Sequence, residues 1–133
     1  MNALKLIFIL FCFINPKYLF AQNSEFRGFE ELGFITTISE AEELAKFDMR
    51  NGNVHLLLVS GINPSFSKTD IQLTSNYNFK YEDFGCVAPK NEYIIAYNRI
   101  MLKNLCEKYG KGIFKKIRKD IIGFKIFKKE NFC

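Results

Sequence analysis

The pattern of apolar and polar residues along the chain predicts alternating strands and helices. The β-branched run FITTIS at residues 34–39 is typical of a strand. Residues 39–52 are typical of a helix, because Ser39 and Glu42 have the spacing of a capping box and a glycine ends the pattern. The continuous apolar run VHLLLVSG at residues 54–61 indicates a strand buried on both faces. This order of elements predicts a parallel βαβ unit.

The second half of the chain adds another predicted strand and one long helix. Residues 70–84 alternate between apolar and polar, which predicts a strand with one solvated face and a bend near Ser75. A helix is predicted over residues 91–110 and a second over 111–121, whereas residues 123–133 fit either an edge strand or an extension of that second helix. The sequence therefore predicts a single small α+β domain, with a mixed sheet of three or four strands and two or three helices packed on one face.

One polar side chain lies at the centre of the apolar face of the 91–110 helix. On a helical wheel, Asn98 is surrounded by apolar residues, and a buried amide without partners costs about 1–3 kcal/mol. We therefore expect Asn98 to be hydrogen-bonded, with Tyr97 beside it, to the turn formed by Gly85, Cys86 and Pro89. Two alternatives are a small ligand pocket lined by Asn98 and Tyr97, and an exposed amide on a helix of different phase.

The first 21 residues have the layout of a secretory signal peptide. A basic start with Lys5, an apolar stretch, a break at Asn15 and a small residue at Ala21 predict cleavage before Gln22. The apolar stretch of about ten residues is shorter than the roughly 20 that a spanning helix needs, so no integral membrane protein is expected after cleavage. The predicted organisation is a signal peptide at 1–21, an N-terminal tether at 22–33 and the α+β domain at 34–133, in a protein exported to the periplasm or secreted.

Positive charge is concentrated at the C-terminal end. The whole chain carries 19 basic and 14 acidic side chains, but residues 103–133 carry 10 basic and 3 acidic ones. This concentration is typical of an ordinary solvated helix face; the alternative is an anion-binding surface for an envelope protein or an anionic surface. Export and the small net charge argue against a nucleic-acid partner. The candidate anion-binding residues are Lys115, Lys116, Arg118 and Lys119.

The cysteine count leaves the disulfide pattern open. Removal of the leader leaves Cys86, Cys106 and Cys133, and an odd number leaves at least one thiol unpaired or bonded to another chain. A bond between Cys86 and Cys106 would need a fully stretched linker lying back along the predicted helix. Pairing of either cysteine with Cys133 is easier, and the absence of any disulfide is the other alternative.

Three segments carry a resemblance to a known family. The sequences YEDFGCVAP at 81–89, AYNRIML at 96–102 and KYGKGIFKKI at 108–117 resemble the FEKKY-type domain of small exported proteins from Bacteroidota. The similarity covers about residues 54–120, although residues 114–117 read FKKI and lack the glutamate and the closing tyrosine of the family signature. The resemblance implies export and a shared fold, and it implies no particular activity.

The inventory of residues for catalysis is small. The single histidine, His55, lies within the apolar strand, and its pairing with Cys86 as a nucleophile and base is the one enzymatic alternative. No spacing typical of a zinc site, a phosphate-binding loop or a nucleophile elbow occurs, so no cofactor is expected. The predicted function is a non-catalytic binding or structural module of the cell envelope. The alternatives are the cysteine-dependent enzyme and a binder of polyanions or membrane surfaces through the basic C-terminal helix.

Overall fold

The computed structural model describes residues 28–61, 65–130 and 133. The predicted signal peptide and residues 22–27 of the predicted tether lie outside this range. Elements are labelled in chain order. They are a 3₁₀ helix at Gly28–Gly33, α1 at Ile38–Arg50, β1 at His55–Leu58, α2 at Lys68–Tyr77, β2 at Lys80–Asp83, α3 at Asn91–Tyr109, α4 at Ile113–Lys116 and α5 at Phe124–Glu130.

The sheet is much smaller than predicted. The described part of the chain is 58% helical and contains one sheet of two parallel strands, so the prediction of a mixed sheet with three or four strands is wrong. β1 pairs with β2 so that His55 lies opposite Lys80 and Leu58 lies opposite Asp83. All four residues of β1 are buried, which confirms the prediction of a fully buried strand at this position.

The first predicted strand, at residues 34–39, is an irregular segment that leads into a helix at Ile38. The Thr37 side chain accepts a hydrogen bond from the backbone N–H of Glu40, and the Glu40 carboxylate accepts one from the backbone N–H of Thr37. This capping box begins α1 two residues before the predicted Ser39–Glu42 box. Local capping therefore outweighs the β propensity of Ile38 and its β-branched neighbours.

The second misassigned strand, at residues 70–84, divides into a helix and a short strand. Ser67 and Asp70 form a capping box that begins α2, and Asn78 ends the helix in the left-handed conformation with φ at 49°. Asparagine tolerates this conformation better than most residues do. Only Lys80–Asp83 forms a strand. The parallel βαβ unit is therefore β1–α2–β2, and it begins two elements later than predicted, at the strand that was expected to end it.

Helix α3 is the centre of the core. It begins at Asn91 and ends at Tyr109, with Gly110 following at φ 74°, which confirms the predicted helix. It packs against α1, β1, α4 and α5. Its buried residues are Tyr93, Ile94, Ala96, Tyr97, Asn98, Met101, Leu102, Leu105 and Cys106.

The segments at both ends pack onto this core. Residues 28–33, assigned to the predicted tether, form a 3₁₀ helix packed on α1, with Leu32 fully buried. The predicted second helix over 111–121 is a single turn, α4, followed by an irregular segment. The tail contains a separate helix, α5, and a disulfide between Cys106 and Cys133 joins the C-terminus to α3. Cys86 is exposed with a free thiol.

Candidate functional site

The Asn98 amide is completely buried and hydrogen-bonded on three sides. Its Oδ1 accepts a hydrogen bond from the backbone N–H of Leu57 at 2.8 Å, and its Nδ2 donates to the carbonyl oxygens of Leu57 and Ile122, both at 2.9 Å. The prediction that Asn98 is buried and bonded to backbone is confirmed, but the predicted partner, the 85–89 turn, is wrong. The exposed-amide alternative is excluded because Asn98 has no solvent exposure.

The position of Leu57 explains why an amide is needed there. The carbonyl groups of Val54, just before β1, and of Leu58 accept hydrogen bonds from the N–H groups of Lys80 and of the residue that follows β2. The backbone groups of Leu57 therefore point to the other edge of the strand. That edge is buried and has no third strand in the described sheet. A buried, unpaired backbone N–H or C=O costs about 1–3 kcal/mol. The Asn98 side chain supplies the partner of the Leu57 N–H and the shorter of two hydrogen bonds to the Leu57 C=O, which also accepts one from the backbone N–H of Ile122 at 3.4 Å. Through its bond to the Ile122 carbonyl, Asn98 also joins β1 to the segment before α5.

The neighbouring Tyr97 belongs to a second buried polar cluster, which includes Asp48 of α1. The Tyr97 hydroxyl donates a hydrogen bond to Oδ2 of Asp48 at 2.5 Å, and the backbone N–H of Phe29 also donates to this carboxyl group. Asp48 is only 2% exposed. A Cβ atom at Gly28 would lie 1.9 Å from Oδ1 of Asp48, and Gly28 has φ at +43°, so only glycine fits beside the carboxyl group.

Burial controls the protonation of this cluster. It raises the pKa of Asp48, although the hydrogen bond from Tyr97 and the proximity of His55 act in the opposite direction. Burial also raises the pKa of Tyr97 far above its usual value, and the hydrogen bond to Asp48 adds to this shift. Tyr97 therefore remains a protonated donor at physiological pH. With every named polar atom of Asn98 and Tyr97 engaged inside the protein, we assign both residues to the fold.

His55 lies beside a small open cavity at the N-terminal ends of both strands. Its side chain is almost fully buried, its Nδ1 lies 3.3 Å from Oε1 of Glu82 without hydrogen-bond geometry, and its ring lies 4.7 Å from the ring of Phe29. The cavity has a volume of about 260 Å³, and its lining includes His55, Lys80 and Asn78. Ligand pockets usually have about 300–1,000 Å³, so this cavity is slightly smaller than a usual ligand pocket.

The turn of Gly85, Cys86 and Pro89 is held by Asp83. Oδ1 of Asp83 accepts hydrogen bonds from the backbone N–H of Gly85 at 2.7 Å and from that of Ser60 at 3.2 Å, and the Ser60 hydroxyl also donates to this carboxylate. Burial alone would raise the pKa of Asp83, but these hydrogen bonds lower it. Gly85 needs its positive φ of +60° for this turn. The turn is thus a self-contained unit at the C-terminal end of the sheet.

The structure does not bring Cys86 and His55 together. His55 is the first residue of β1, whereas Cys86 follows the last residue of the parallel strand β2. Three residues of a parallel strand span about 10 Å, so the two side chains lie at opposite ends of the sheet. A nucleophile and its base need to be within hydrogen-bond reach.

Three of the four candidate anion-binding residues have partners inside the protein. Lys116 donates a hydrogen bond to the Tyr77 hydroxyl, and Lys119 donates to the backbone carbonyl of Phe114. Arg118 is bonded to the Asp120 carboxylate and lies 3.6 Å from the carboxylate of Asp70. Of the four, only Lys115 has no partner within the part of the chain that the structure describes, and its side chain is exposed.

Comparisons with known proteins give no assignment for these features. Neither a protein-family model, nor a curated protein, nor a solved structure matches the chain. Within residues 28–61, 65–130 and 133, no group of three or more histidine, cysteine or acidic side chains is placed to hold a metal ion. In the same ranges, no helix has the length and apolar character required to cross a bilayer.

Asp48 is the central residue that the sequence interpretation missed. Ala41, Leu44 and Ala45 form the apolar stripe of α1, and Asp48 continues that stripe at the next helical position. The same argument that identified Asn98, a polar residue at the centre of an apolar face, applies to Asp48. The periodicity of α1 therefore contained the signal.

Proposed function

We propose that this chain is a small exported domain that acts as a non-catalytic binding or structural module of the cell envelope. The observation that carries the proposal is the use of its interior polar groups. Asn98 is bonded to Leu57 and Ile122, and Tyr97 is bonded to Asp48. The two residues of the enzymatic alternative, Cys86 and His55, lie at opposite ends of the sheet.

Export is supported by the cysteines as well as by the leader. A disulfide links Cys106 to Cys133, whose Cα atoms are 5.9 Å apart, a usual separation for a bridged pair. Disulfides persist in oxidising compartments such as the periplasm and are rare in the cytosol. The resemblance to the FEKKY-type domain remains a prediction that agrees with export.

The test of export is the mass of the protein after expression of the full chain in a bacterium with a periplasm. We expect the intact mass of a chain that begins at Gln22. Alkylation of the denatured protein should label one cysteine, Cys86. After reduction, alkylation should label three cysteines. A protein that retains residues 1–21, or that has three free thiols before reduction, contradicts the proposal.

The non-catalytic part of the proposal is tested with the same purified protein. We expect no turnover of generic ester, peptide or glycoside substrates above the level of a mock purification. Cys86→Ala and His55→Ala are the control variants for any turnover that is seen. An activity that is lost in both variants, while circular dichroism shows that both remain folded, would replace this proposal with a cysteine-dependent enzyme.

A further inference from the structure

Helix α5 has one face made of lysines. Lys125, Lys128 and Lys129 are exposed, and their spacing of i, i+3 and i+4 places them on the same side of the helix. Phe124 and Phe127 are buried against the body. Both phenylalanine rings pack against Phe114 of α4, with centroids 5.9 and 5.4 Å apart. The core contacts of α5 therefore fix the direction in which the lysines point.

No acidic side chain among the described residues is paired with these lysines. The nearby acids have other partners: Asp120 is bonded to Arg118, and Glu130 lies 3.2 Å from Arg99. None of the three lysines has a partner among the described residues. Like charges at i, i+3 and i, i+4 repel each other and destabilise an isolated helix. The face is therefore unfavourable within the free protein and becomes favourable beside negative charge.

An exposed apolar side chain borders the face formed by the three lysines. Ile126 is 48% exposed although it lies between two residues that pack into the core on either side. We define the α5 face as Lys125, Ile126, Lys128 and Lys129. Helices that lie at the interface of an anionic bilayer combine cationic side chains at the headgroups with apolar side chains that enter the acyl boundary, and the α5 face offers both kinds of side chain.

We propose that the α5 face binds the surface of an anionic lipid bilayer, with the lysines at the headgroups and Ile126 at the boundary to the acyl chains. A soluble polyanion would neutralise the lysines, but it would offer nothing apolar to Ile126, and this difference favours the lipid surface. The body holds α5 through the phenylalanine contacts and the nearby Cys106–Cys133 disulfide. The proposal rests on the proposed function in one respect: export determines which bilayer the protein encounters.

The closing experiment is co-sedimentation of the full mature protein with lipid vesicles. The probes are vesicles of phosphatidylcholine alone and vesicles that also contain phosphatidylglycerol. We expect binding to the anionic vesicles and none to the neutral ones. Each lysine near an anionic surface contributes enough binding energy that the triple variant K125Q/K128Q/K129Q should bind about a hundredfold more weakly.

The matched control removes the same number of charges from other elements. K68Q/K80Q/K111Q alters three lysines outside α5 whose side chains are also exposed and without a partner among the described residues, and it should retain nearly the wild-type affinity for anionic vesicles. Equal losses in the two triple variants would show a net-charge effect and overturn the proposal. Absence of wild-type binding to anionic vesicles would also overturn it, and neither result affects the mass test of export. Thermal unfolding of each variant confirms that it is folded.

Substitution of Ile126 separates a bilayer from other polyanions. I126S should weaken vesicle binding several-fold and leave retention on a heparin column unchanged, because only the bilayer offers an apolar environment. Equal vesicle binding by I126S and wild type, together with heparin retention that depends on the three lysines, would identify a soluble polyanion and overturn the lipid assignment.

Discussion

Polar side chains on the buried side of α3 have partners inside the protein, whereas the lysines on the exposed side of α5 have none among the described residues. On α3, Asn98 and Tyr97 have no solvent exposure, and each is bonded to another part of the protein. On α5, the lysines of the α5 face are exposed and have no partner among the described residues. Polar residues of the first kind are explained by the fold, because burial without partners is costly. Residues of the second kind are available to bind something else.

The largest expected effect is the loss of the Asn98 amide. Asn98→Ala removes three hydrogen bonds. It leaves the N–H of Leu57 buried without a partner, leaves the C=O of Leu57 with only the 3.4 Å hydrogen bond from the backbone N–H of Ile122, and removes the side-chain partner of the partly buried C=O of Ile122. We expect the free energy of unfolding to fall by about 4 kcal/mol, measured by urea denaturation.

Asn104 provides the matched control on the same helix. It is only partly buried, and no hydrogen bond of its side chain is present within the described ranges. Asn104→Ala should change the free energy of unfolding by about 0.5 kcal/mol or less. Similar losses in the two variants would mean that Asn98 does not hold β1, and the contrast between the two faces would lose its basis.

The second prediction concerns the covalent link between the two regions. The disulfide joins Cys106 of α3 to Cys133 across a separation of 27 residues, a stretch that contains α5. Closure of a loop of this length stabilises a protein by about 3.5 kcal/mol in the chain-entropy model. C106S/C133S should therefore lower the free energy of unfolding by this order. Cys86→Ser, at an exposed free thiol, should have no comparable effect, and a similar loss there would contradict the assigned pairing.

The third prediction uses pH to examine the interior cluster. The folded pKa of Asp48 is raised by burial, whereas an unfolded aspartate titrates at about 3.9. The folded state therefore holds this proton more tightly than the unfolded state does. The contribution of Asp48 to the free energy of unfolding is fully present below about pH 3.9 and falls as the pH rises through the folded pKa. Tyr97→Phe removes a donor to the carboxylate, so it should cost about 2 kcal/mol at pH 7 and less at pH 4.

Asp48→Asn isolates this effect from the other acids. The pKa values of Asp83 and Asp120 are lowered in the folded state, so these residues make stability rise with pH in the same range. Their contributions cancel in the difference between wild type and Asp48→Asn at each pH. We expect the wild-type advantage to decrease as the pH rises from 4 to 7 in urea denaturation. An advantage that increases with pH would show that the buried carboxyl group has a lowered pKa.

The sequence predicted the features that depend on one long helix. A 19-residue helix contains enough turns to define its apolar face, so the bounds of α3 and the burial of Asn98 followed from the periodicity. The partner of Asn98 did not follow, because only the tertiary structure shows that the open edge of β1 lies against α3. The burial of Asp48 was detectable from the periodicity in the same way. Its hydrogen bond from the backbone N–H of Phe29 was not, because it depends on the packing of the 3₁₀ helix.

The sheet was predicted poorly because short segments have ambiguous periods. In α2, alternating residues such as Ile71 and Leu73 fit a strand, yet the cap at Ser67 and the left-handed Asn78 make a ten-residue helix. Ile71 is 60% exposed, so burial does not determine the period there.

The basic residues were ambiguous for another reason. Arg118 lies near Asp70 and Lys116 donates to the Tyr77 hydroxyl, and no linear pattern shows partners that are so distant in the sequence.

The smallest expected effect on stability is that of removing the exposed lysines of α5. If the α5 lysines have no role in the fold, K125Q/K128Q/K129Q should leave the free energy of unfolding unchanged or raise it by up to about 0.5 kcal/mol at low salt, because like charges at i, i+3 and i, i+4 repel each other. The difference from wild type should disappear in high salt, which screens exposed charges. Thermal and urea denaturation at two salt concentrations provide the measurement. A loss of 1 kcal/mol or more, about the size expected for a buried hydrogen bond, would place these lysines with Asn98 as part of the architecture.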